Sequence, residues 1–419
     1  MSWSTVASPS DLPPWPVLLD RRLIVRGRLL LTPTGRLLRL GAEGPRALAD
    51  VQQGKGSRAF ARRLVDAGAA HPVPPPRAAD DVTVVIPVRD RAAELDRCLT
   101  ALARHAVVVD DGSLDPAAVR AVCAKHKVTY VHRPNGGPAA ARNTGLLHVT
   151  TPLVAFLDSD CSVPAGWLEH LRGHLDDPTV VAVAPRIVGG PRSPLDLGPR
   201  PALVRPGSEI AYVPTAALLL RRQGVRFDED LRYGEDVDLI WRLEGTVRYD
   251  PSVVVQHTEP ERLRDRLVRR HRYGTAAAPL SKRHPDHLAH LVLPPWPTAV
   301  VFLLLARRPV TATVAAAVMA VRLDRQLHDP IASTRLVASS VTNTALGLGR
   351  FLSLLGPFGW SRPLLVCAPY LLEWVQRRPS EDPLRYTTRA LLDQAAYGTG
   401  VLRGCVTERT AIPLRPRRR

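Results

Sequence analysis

Short uninterrupted apolar runs alternate with stretches of helical period between residues 82 and 257, and that alternation predicts an α/β sheet. Val82 to Val88 reads as a strand, Arg91 to Ala103 as a helix and Ala106 to Val109 as a second strand, a βαβ unit. Leu153 to Leu157 is apolar at every position, which suits a central parallel strand buried on both faces. Asn135, Gly136 and Gly137 make a turn, and Pro138 suits the first position of an alanine-rich helix. Val237, Leu239, Ile240 and Leu243 recur at roughly helical spacing behind Glu235 and Asp236, and SVVVQH, ending at His257, reads as an apolar strand.

The pattern changes on both sides of this block. Residues 20 to 72 read as a hairpin around Pro33 to Gly35 followed by two short helices, so a small winged-helix-like module is expected over 18–72. Prolines at 72, 74, 75 and 76 mark a linker over 73–80, which leaves 81–290 to the sheet domain. Beyond residue 290 acidic residues become sparse, and Ala, Leu and Val dominate in 299–321 and 363–375. Arg307, Arg308 and Pro309 cut the first run into pieces shorter than a membrane span needs. A helical, apolar and basic region is therefore expected over 291–419, its helices buried or lying in a membrane interface rather than crossing.

Acids and an arginine stand where these elements end. Asp158, Ser159 and Asp160 close the apolar strand, and two fixed carboxylates there would repel each other unless a cation sat between them. Mg²⁺ or Mn²⁺ takes such oxygen ligands and shares them with substrate phosphates. Asp110 and Asp111 are expected just past the second strand, at the carboxyl edge of the sheet, where a nucleotide base or ribose could be held. The helix start at Asn135 to Pro138, with Arg142 nearby, favours an anion, although Arg142 serves equally well as the structural partner of a carboxylate. Acids such as Glu235 and Asp236 suit any first helical turn, and a carboxylate there could also act as a general base. His257 is either structural or a metal ligand. No G-x-x-x-x-G-K-[ST] or G-x-G-x-x-G occurs, so a P-loop nucleotidase or a dinucleotide-dependent dehydrogenase is poorly supported.

In this order and spacing, VVIPVRDR, VVVDDGS, NGGPAAARNTG, FLDSD and YGEDVDLIWRL resemble the family 2 glycosyltransferases, nucleotide-sugar enzymes with a GT-A type fold. The likeness covers roughly residues 82 to 257. It implies that Pro87, Arg89, Asp110, Asp111, Asn135, Arg142, Asp158 and Ser159 contact a nucleotide sugar, and that Asp158, Asp160 and His257 hold the metal. It also implies that Asp236 is the general base, with Glu235 as a supporting acceptor contact. The reaction expected is an inverting displacement with no covalent enzyme intermediate, driven mainly by positioning and electrostatics. Leu239, Ile240, Trp241 and Arg242 stand where processive synthases often carry Q-x-x-R-W, so synthesis through a channel is not expected.

Composition adds partners. The chain has 57 Lys and Arg against 39 Asp and Glu, a net charge of +18, which suits a polyanion and raises a DNA-binding regulator as one alternative. The N-terminal module has no aromatic set for base stacking, however, and its strand pair followed by LGAEGPRAL and ARRLVDAG resembles the PqqD type of peptide-recognition domain. Such a module ahead of a family 2 glycosyltransferase, together with LVRRHRYGTAAAPLSKRHP, resembles the glycosyltransferases of the mycofactocin system. That likeness implies transfer of glucose, from a donor such as UDP-glucose, to a peptide-derived redox cofactor or its precursor, building a short β-glucan. A membrane-associated transferase acting on lipid or cell-wall polysaccharide is the other alternative, and an anionic membrane surface is a candidate partner. The first twenty residues lack a basic start and a continuous apolar core, and the five cysteines form no C-x-x-C pair. The location expected is the cytoplasm, with or without peripheral attachment to the inner face of the membrane. Cys161 adjoins the metal motif, and its expected role is packing.

Overall fold

The computed structural model describes residues 12–417 apart from 34–35, 191–192, 261 and 357–362, and divides the chain into two compact units, Met1–Glu259 and Pro260–Arg419. The first unit opens with β1 (Val17–Leu19), β2 (Ile24–Arg26), β3 (Leu29–Leu31) and β4 (Leu37–Arg39). Helices α1 (Gly44–Gln52) and α2 (Arg58–Asp66) and strand β5 (Ala70–Pro72) follow. β2, β3 and β4 form an antiparallel sheet and β1 pairs with β5, around a core that includes Leu30, Leu48, Leu64 and Val65. The turn expected at Pro33 to Gly35 falls partly outside the described residues, while β3 and β4 on either side of it pair antiparallel. Ser57 caps α2, its side chain accepting from the N–H of Phe60.

This module is held to the main sheet by buried charge. Arg62 of α2 forms an ion pair with Asp177 at 2.8 Å and donates to Thr179 Oγ1 at 3.2 Å, with both Arg62 and Asp177 buried. A pair so desolvated is tolerated only because each partner is met by the other.

The main sheet is built from β6 (Val82–Val88), β7 (Ala106–Asp111), β8 (Thr129–Arg133), β9 (Leu153–Leu157), β10 (Cys161–Ser162), β11 (Val180–Val188), β12 (Ala202–Val204), β13 (Ala217–Arg221) and β14 (Thr246–His257). Its order is β10-β14-β11-β13-β9-β6-β7-β8, with β12 beside β14. Helices α3 (Ala92–Leu102), α4 (Pro116–Lys125), α5 (Pro138–Leu146), α6 (Trp167–His174) and α7 (Glu235–Arg242) lie between the strands in sequence. Leu95, Leu99, Val119 and Leu168 from α3, α4 and α6 share one core, whereas Ala139, Leu239 and Ile240 from α5 and α7 belong to another. Both faces of the sheet are thus covered, and β9 is buried at every residue.

Two details differ from the pattern-based expectation. β9 is parallel to β6 but antiparallel to β13, so the sheet changes from parallel to antiparallel at this strand. β7 runs on through Asp110 and Asp111, because Val88 still pairs with Asp110 on one side and His132 and Arg133 pair with the two aspartates on the other. The turn that follows needs glycine: Gly112 has φ +71°, and a Cβ there would stand 2.7 Å from the backbone N of Asn135.

The second unit is helical: α8 (Leu263–Thr275), α9 (Ala277–Arg283), α10 (Pro295–Leu305), α11 (Pro309–Leu327), α12 (Pro330–Leu354), α13 (Pro363–Arg377) and α14 (Pro383–Thr407). The division at Glu259 places residues 263–283 with these helices, not with the sheet domain expected to reach 290. The reason is close packing of α8 on α14. A Cβ on Gly274 would stand 2.1 Å from the carbonyl O of Tyr397, and one on Gly400 2.0 Å from that of His271, so the two backbones touch. α10 and α11 separate at Arg307 to Pro309, as expected, and no described helix is long and apolar enough to cross a membrane.

Candidate active site

Parallel β6, β7 and β9 end at one edge of the sheet, and the polar residues gather there in two neighbouring groups. Past β9 the chain turns, with the N–H of Cys161 donating to the carbonyl of Asp158 at 3.0 Å. Cys161 in β10 then pairs with His257 in β14, and this register brings His257 beside Asp160. Nε2 of His257 lies 3.5 Å from Asp160 Oδ1, and its Nδ1 lies 3.5 Å from Glu259 Oε1. The buried guanidinium of Arg142, on α5, donates to Asp158 Oδ1 at 2.8 Å and to Glu235 Oε1 at 2.9 Å. It therefore ties the end of β9 to the start of α7, the structural-partner role that the sequence left open for it. Arg91, just before α3, binds Asp160.

The acids in this first group do not titrate alike. Burial, and then the charge of Glu235, push the carboxyl of Asp236 up to about 7, against the pull of the Val237 N–H, which donates to Asp236 Oδ1 at 2.8 Å, and of Arg142. Burial and the charge of Asp158 also raise Asp160, while His257 and Arg91 act against them. Burial works against the charge of Arg142, yet Asp158 and Glu235 outweigh it and hold its pKa above the ordinary value. Burial together with Asp158 and Asp160 lifts the Cys161 thiol well above its usual range, so it stays neutral and is no nucleophile.

The second group sits at the end of β7. Asp110 is fully buried and accepts from the Ser113 N–H at 2.9 Å and the Tyr130 hydroxyl at 2.9 Å, with His132 Nδ1 at 3.3 Å. Burial would raise its pKa, but these bonds outweigh it and hold the carboxyl below the ordinary value. Asp111 accepts from Arg133 at 2.5 Å, Asn135 Nδ2 at 3.0 Å and the N–H groups of Gly136 and Gly137 at 3.0 and 2.7 Å. In place of two acids just past the strand, the structure has two buried acids within its last residues that shape the loops around them. Asp111 and Asn135 together order the turn leading into α5. Between the two groups, Pro87 lies near the end of β6 and the half-exposed Arg89 follows it, its Nε 3.5 Å from Asp90. Ser159 is buried.

Reading the sequence alone missed Arg91 and Glu259. Arg91 lies inside VVIPVRDR, two residues beyond the arginine that was singled out, and Glu259 follows two residues after His257. Among the described residues no three His, Cys, Asp or Glu side chains are gathered as a metal cage, and the two arginines neutralise the carboxylates instead.

Against known proteins, the sequence model of glycosyl transferase family 2 matches residues 83–217. The chain is also 38% identical to the pre-mycofactocin glycosyltransferase of Mycobacterium tuberculosis, over 96% of this chain and 97% of that one. The chain belongs to glycosyltransferase family 2. The family match takes in Arg142, Asp158 and Asp160, while Glu235, Asp236 and His257 lie beyond it and within the longer likeness. Among solved structures, S. aureus TarS 1–349 aligns with a TM-score of 0.42 at 15% identity, over 77% of this chain and 90% of its own. GalNAc-T7 with UDP, GalNAc and Mn²⁺ aligns with a TM-score of 0.34 at 17% identity, over 42% of this chain and 43% of its own. For a transferase the useful feature of this edge is its division of labour: one acid near neutral pH beside others that are paired with arginine.

Proposed function

We propose that this transferase moves a hexose, glucose from UDP-glucose, onto a peptide-derived redox cofactor or its precursor of the mycofactocin kind, and repeats the step to build a short β-glucan. The observation that carries the chemistry is the setting of Asp236, at the start of α7 beside Glu235, with the Val237 N–H as its bonded partner and no ion-paired cation among the described residues. Burial there raises its pKa to about 7, which suits a general base. Asp236 takes the proton of the acceptor hydroxyl as that oxygen bonds to the anomeric carbon. The bond from that carbon to the diphosphate breaks in the same displacement, so configuration inverts. Glu235, held by Arg142, sits next to the base and orients the acceptor. The nucleotide lies along the edge formed by Pro87, Arg89, Asp110, Asp111, Asn135 and Ser159, with the loops that the two buried aspartates order as its floor.

Asp158, Asp160 and His257 would hold Mg²⁺ or Mn²⁺. The donor types fit, two carboxylates and an imidazole: His257 Nε2 lies 3.5 Å from Asp160, and Asp160 carries a pKa raised in part by the charge of Asp158, which a cation would relieve, while Arg142 and Arg91 hold the two carboxylates in this structure. An ion held there would supply positive charge to neutralise the departing diphosphate. The acceptor assignment is supported by the name of the M. tuberculosis relative. The 18–72 module keeps, in this reading, a PqqD-like role of recognising peptide by strand addition at a sheet edge. The enzyme works in the cytoplasm, with an anionic membrane surface as a partner. That surface also favours a second reading, a lipid or wall-polysaccharide acceptor.

One experiment separates the two. Purified protein is given UDP-glucose with either a peptide-derived redox-cofactor precursor or a membrane lipid extract, with Mn²⁺ or with EDTA, and products are read by mass spectrometry. A ladder spaced by one hexose on the peptide-derived acceptor, lost in EDTA and in Asp160→Ala, is the expected result. A ladder on lipid alone would overturn the first reading in favour of the second.

A further inference from the structure

We propose that the α10–α11 arm of the second unit is a docking face that lies on an anionic lipid leaflet without crossing it. This rests on the membrane partner proposed above and adds the place and the mode of contact. Val310, Val314, Val318 and Val321 follow one another along α11 at spacings of three and four residues, so they form a single stripe. All four are exposed, Val310 to 76%, and Phe302 at the end of α10 is exposed to 56%. A helix packed in a water-soluble protein turns such a stripe inward, and an exposed contiguous one marks a surface with a partner.

Charge says which partner. Residues 260–419 hold 25 Lys and Arg against ten Asp and Glu, a net +15 of the chain's +18, so the two units differ sharply although the first holds more residues. Arg307 and Arg308 stand at the joint between α10 and α11, and Arg322 and Arg325 lie in the last turns of α11, at the two ends of the valine stripe. None of these four makes an ion pair among the described residues. An apolar stripe bounded by unpaired arginines matches a helix lying in the interface, valines toward the acyl chains and guanidinium groups among anionic headgroups. No described helix is long and apolar enough to cross. A second copy of the chain is a poorer occupant, since each face would bring the same positive charge to the contact. Nucleic acid is poorer too, because valines give bases nothing to stack on.

The test is sedimentation of the full chain with vesicles of equal parts phosphatidylglycerol and phosphatidylcholine, and with vesicles of phosphatidylcholine alone. Wild-type protein should bind the first, not the second, and lose affinity as salt rises. Arg308→Ala/Arg325→Ala should weaken binding roughly thirtyfold. Val310→Ser/Val314→Ser/Val318→Ser should weaken it about tenfold or more. Transfer to a soluble acceptor, measured without vesicles, should be unchanged in both, which reports an intact fold and keeps the face separate from the chemistry. Failure of the wild type to bind anionic vesicles would overturn the membrane partner and the face together. Undiminished binding by the valine variant would overturn the face alone. Duplex DNA binding without vesicle binding, or a dimer in light scattering that the valine variant dissolves, would overturn the proposal in favour of those partners.

Discussion

The active-site edge holds two acid pairs of the same formal charge in different company. Asp158 and Asp160, beyond β9, each receive a guanidinium, from Arg142 and Arg91. At the start of α7, Glu235 shares Arg142, but Asp236 receives only the backbone N–H of Val237 among the described residues. The difference shows how one site keeps one carboxyl near neutral pH while its neighbours are bound to cations. Burial raises both Asp160 and Asp236, and what sets Asp236 apart is the lack of a directly bonded cation.

Removing the odd member of the second pair should have the largest effect. In Asp236→Asn the turnover rate is expected to fall about 10²- to 10⁴-fold, the range that a lost general base costs, while donor affinity measured by calorimetry stays nearly the same. Full turnover in that variant would remove the functional meaning of the comparison. Next comes the residue that the two pairs share. Arg142→Ala leaves Asp158 and Glu235 without their buried cation, and removing one partner of such a pair costs about 3–5 kcal/mol, to be read from denaturant unfolding. Because Arg142 also pulls the Asp236 pKa down, the same variant, where it folds, should shift the rate profile to higher pH.

The pH dependence sharpens the contrast further. A general base must be deprotonated, so kcat/KM should rise with pH through about 7 and then level off, falling about tenfold per unit on the acid side. Stability should run the opposite way. The folded state of the ligand-free protein holds a proton on Asp236 over the interval from the ordinary carboxylate range up to about 7, where the unfolded chain has released it. The contribution is therefore fully present below that interval and is lost as pH rises through about 7. Asp236→Asn should remove this slope, gaining thermal stability relative to wild type above pH 7 and not in acid. Parallel melting curves across that range check it.

What was legible in the sequence was what repeats along the backbone. The strands at 82–88 and 153–157 stand at the residues their apolar runs marked, since a strand buried on both faces writes itself as continuous apolar sequence. Asp110 and Asp111 were harder, because an acid at the end of an apolar run reads as a turn. Only the neighbouring strands show that the ladder continues through them. The antiparallel partner of β9, the Arg62 to Asp177 pair and the contact of Arg91 with Asp160 all join residues far apart in the chain, which no local period records. The same holds for the second unit: its excess of arginine can be counted in the sequence, but a valine stripe that faces water is spelled like one that faces a core. For α8 and α14, Gly274 and Gly400 mark the close approach, yet each alone looks like helix punctuation.

The smallest effect belongs to Arg91, and it tests whether the two arginines of the first pair are equivalent. Arg142 is buried, but the side chain of Arg91 is 54% exposed, so water screens its attraction for Asp160. With its arginine exposed and screened, the pair is expected to be worth about 1 kcal/mol, and Arg91→Ala should lower unfolding free energy by about that much. It should still move Asp160, since Arg91 is one of the two charges that oppose its upward shift. Carbon-13 NMR of labelled aspartate should therefore show the Asp160 carboxyl titrating higher in Arg91→Ala than in wild type. A loss of stability as large as that of Arg142→Ala, or an unmoved Asp160, would mean that burial counts for less here than the contrast between the two acid pairs requires.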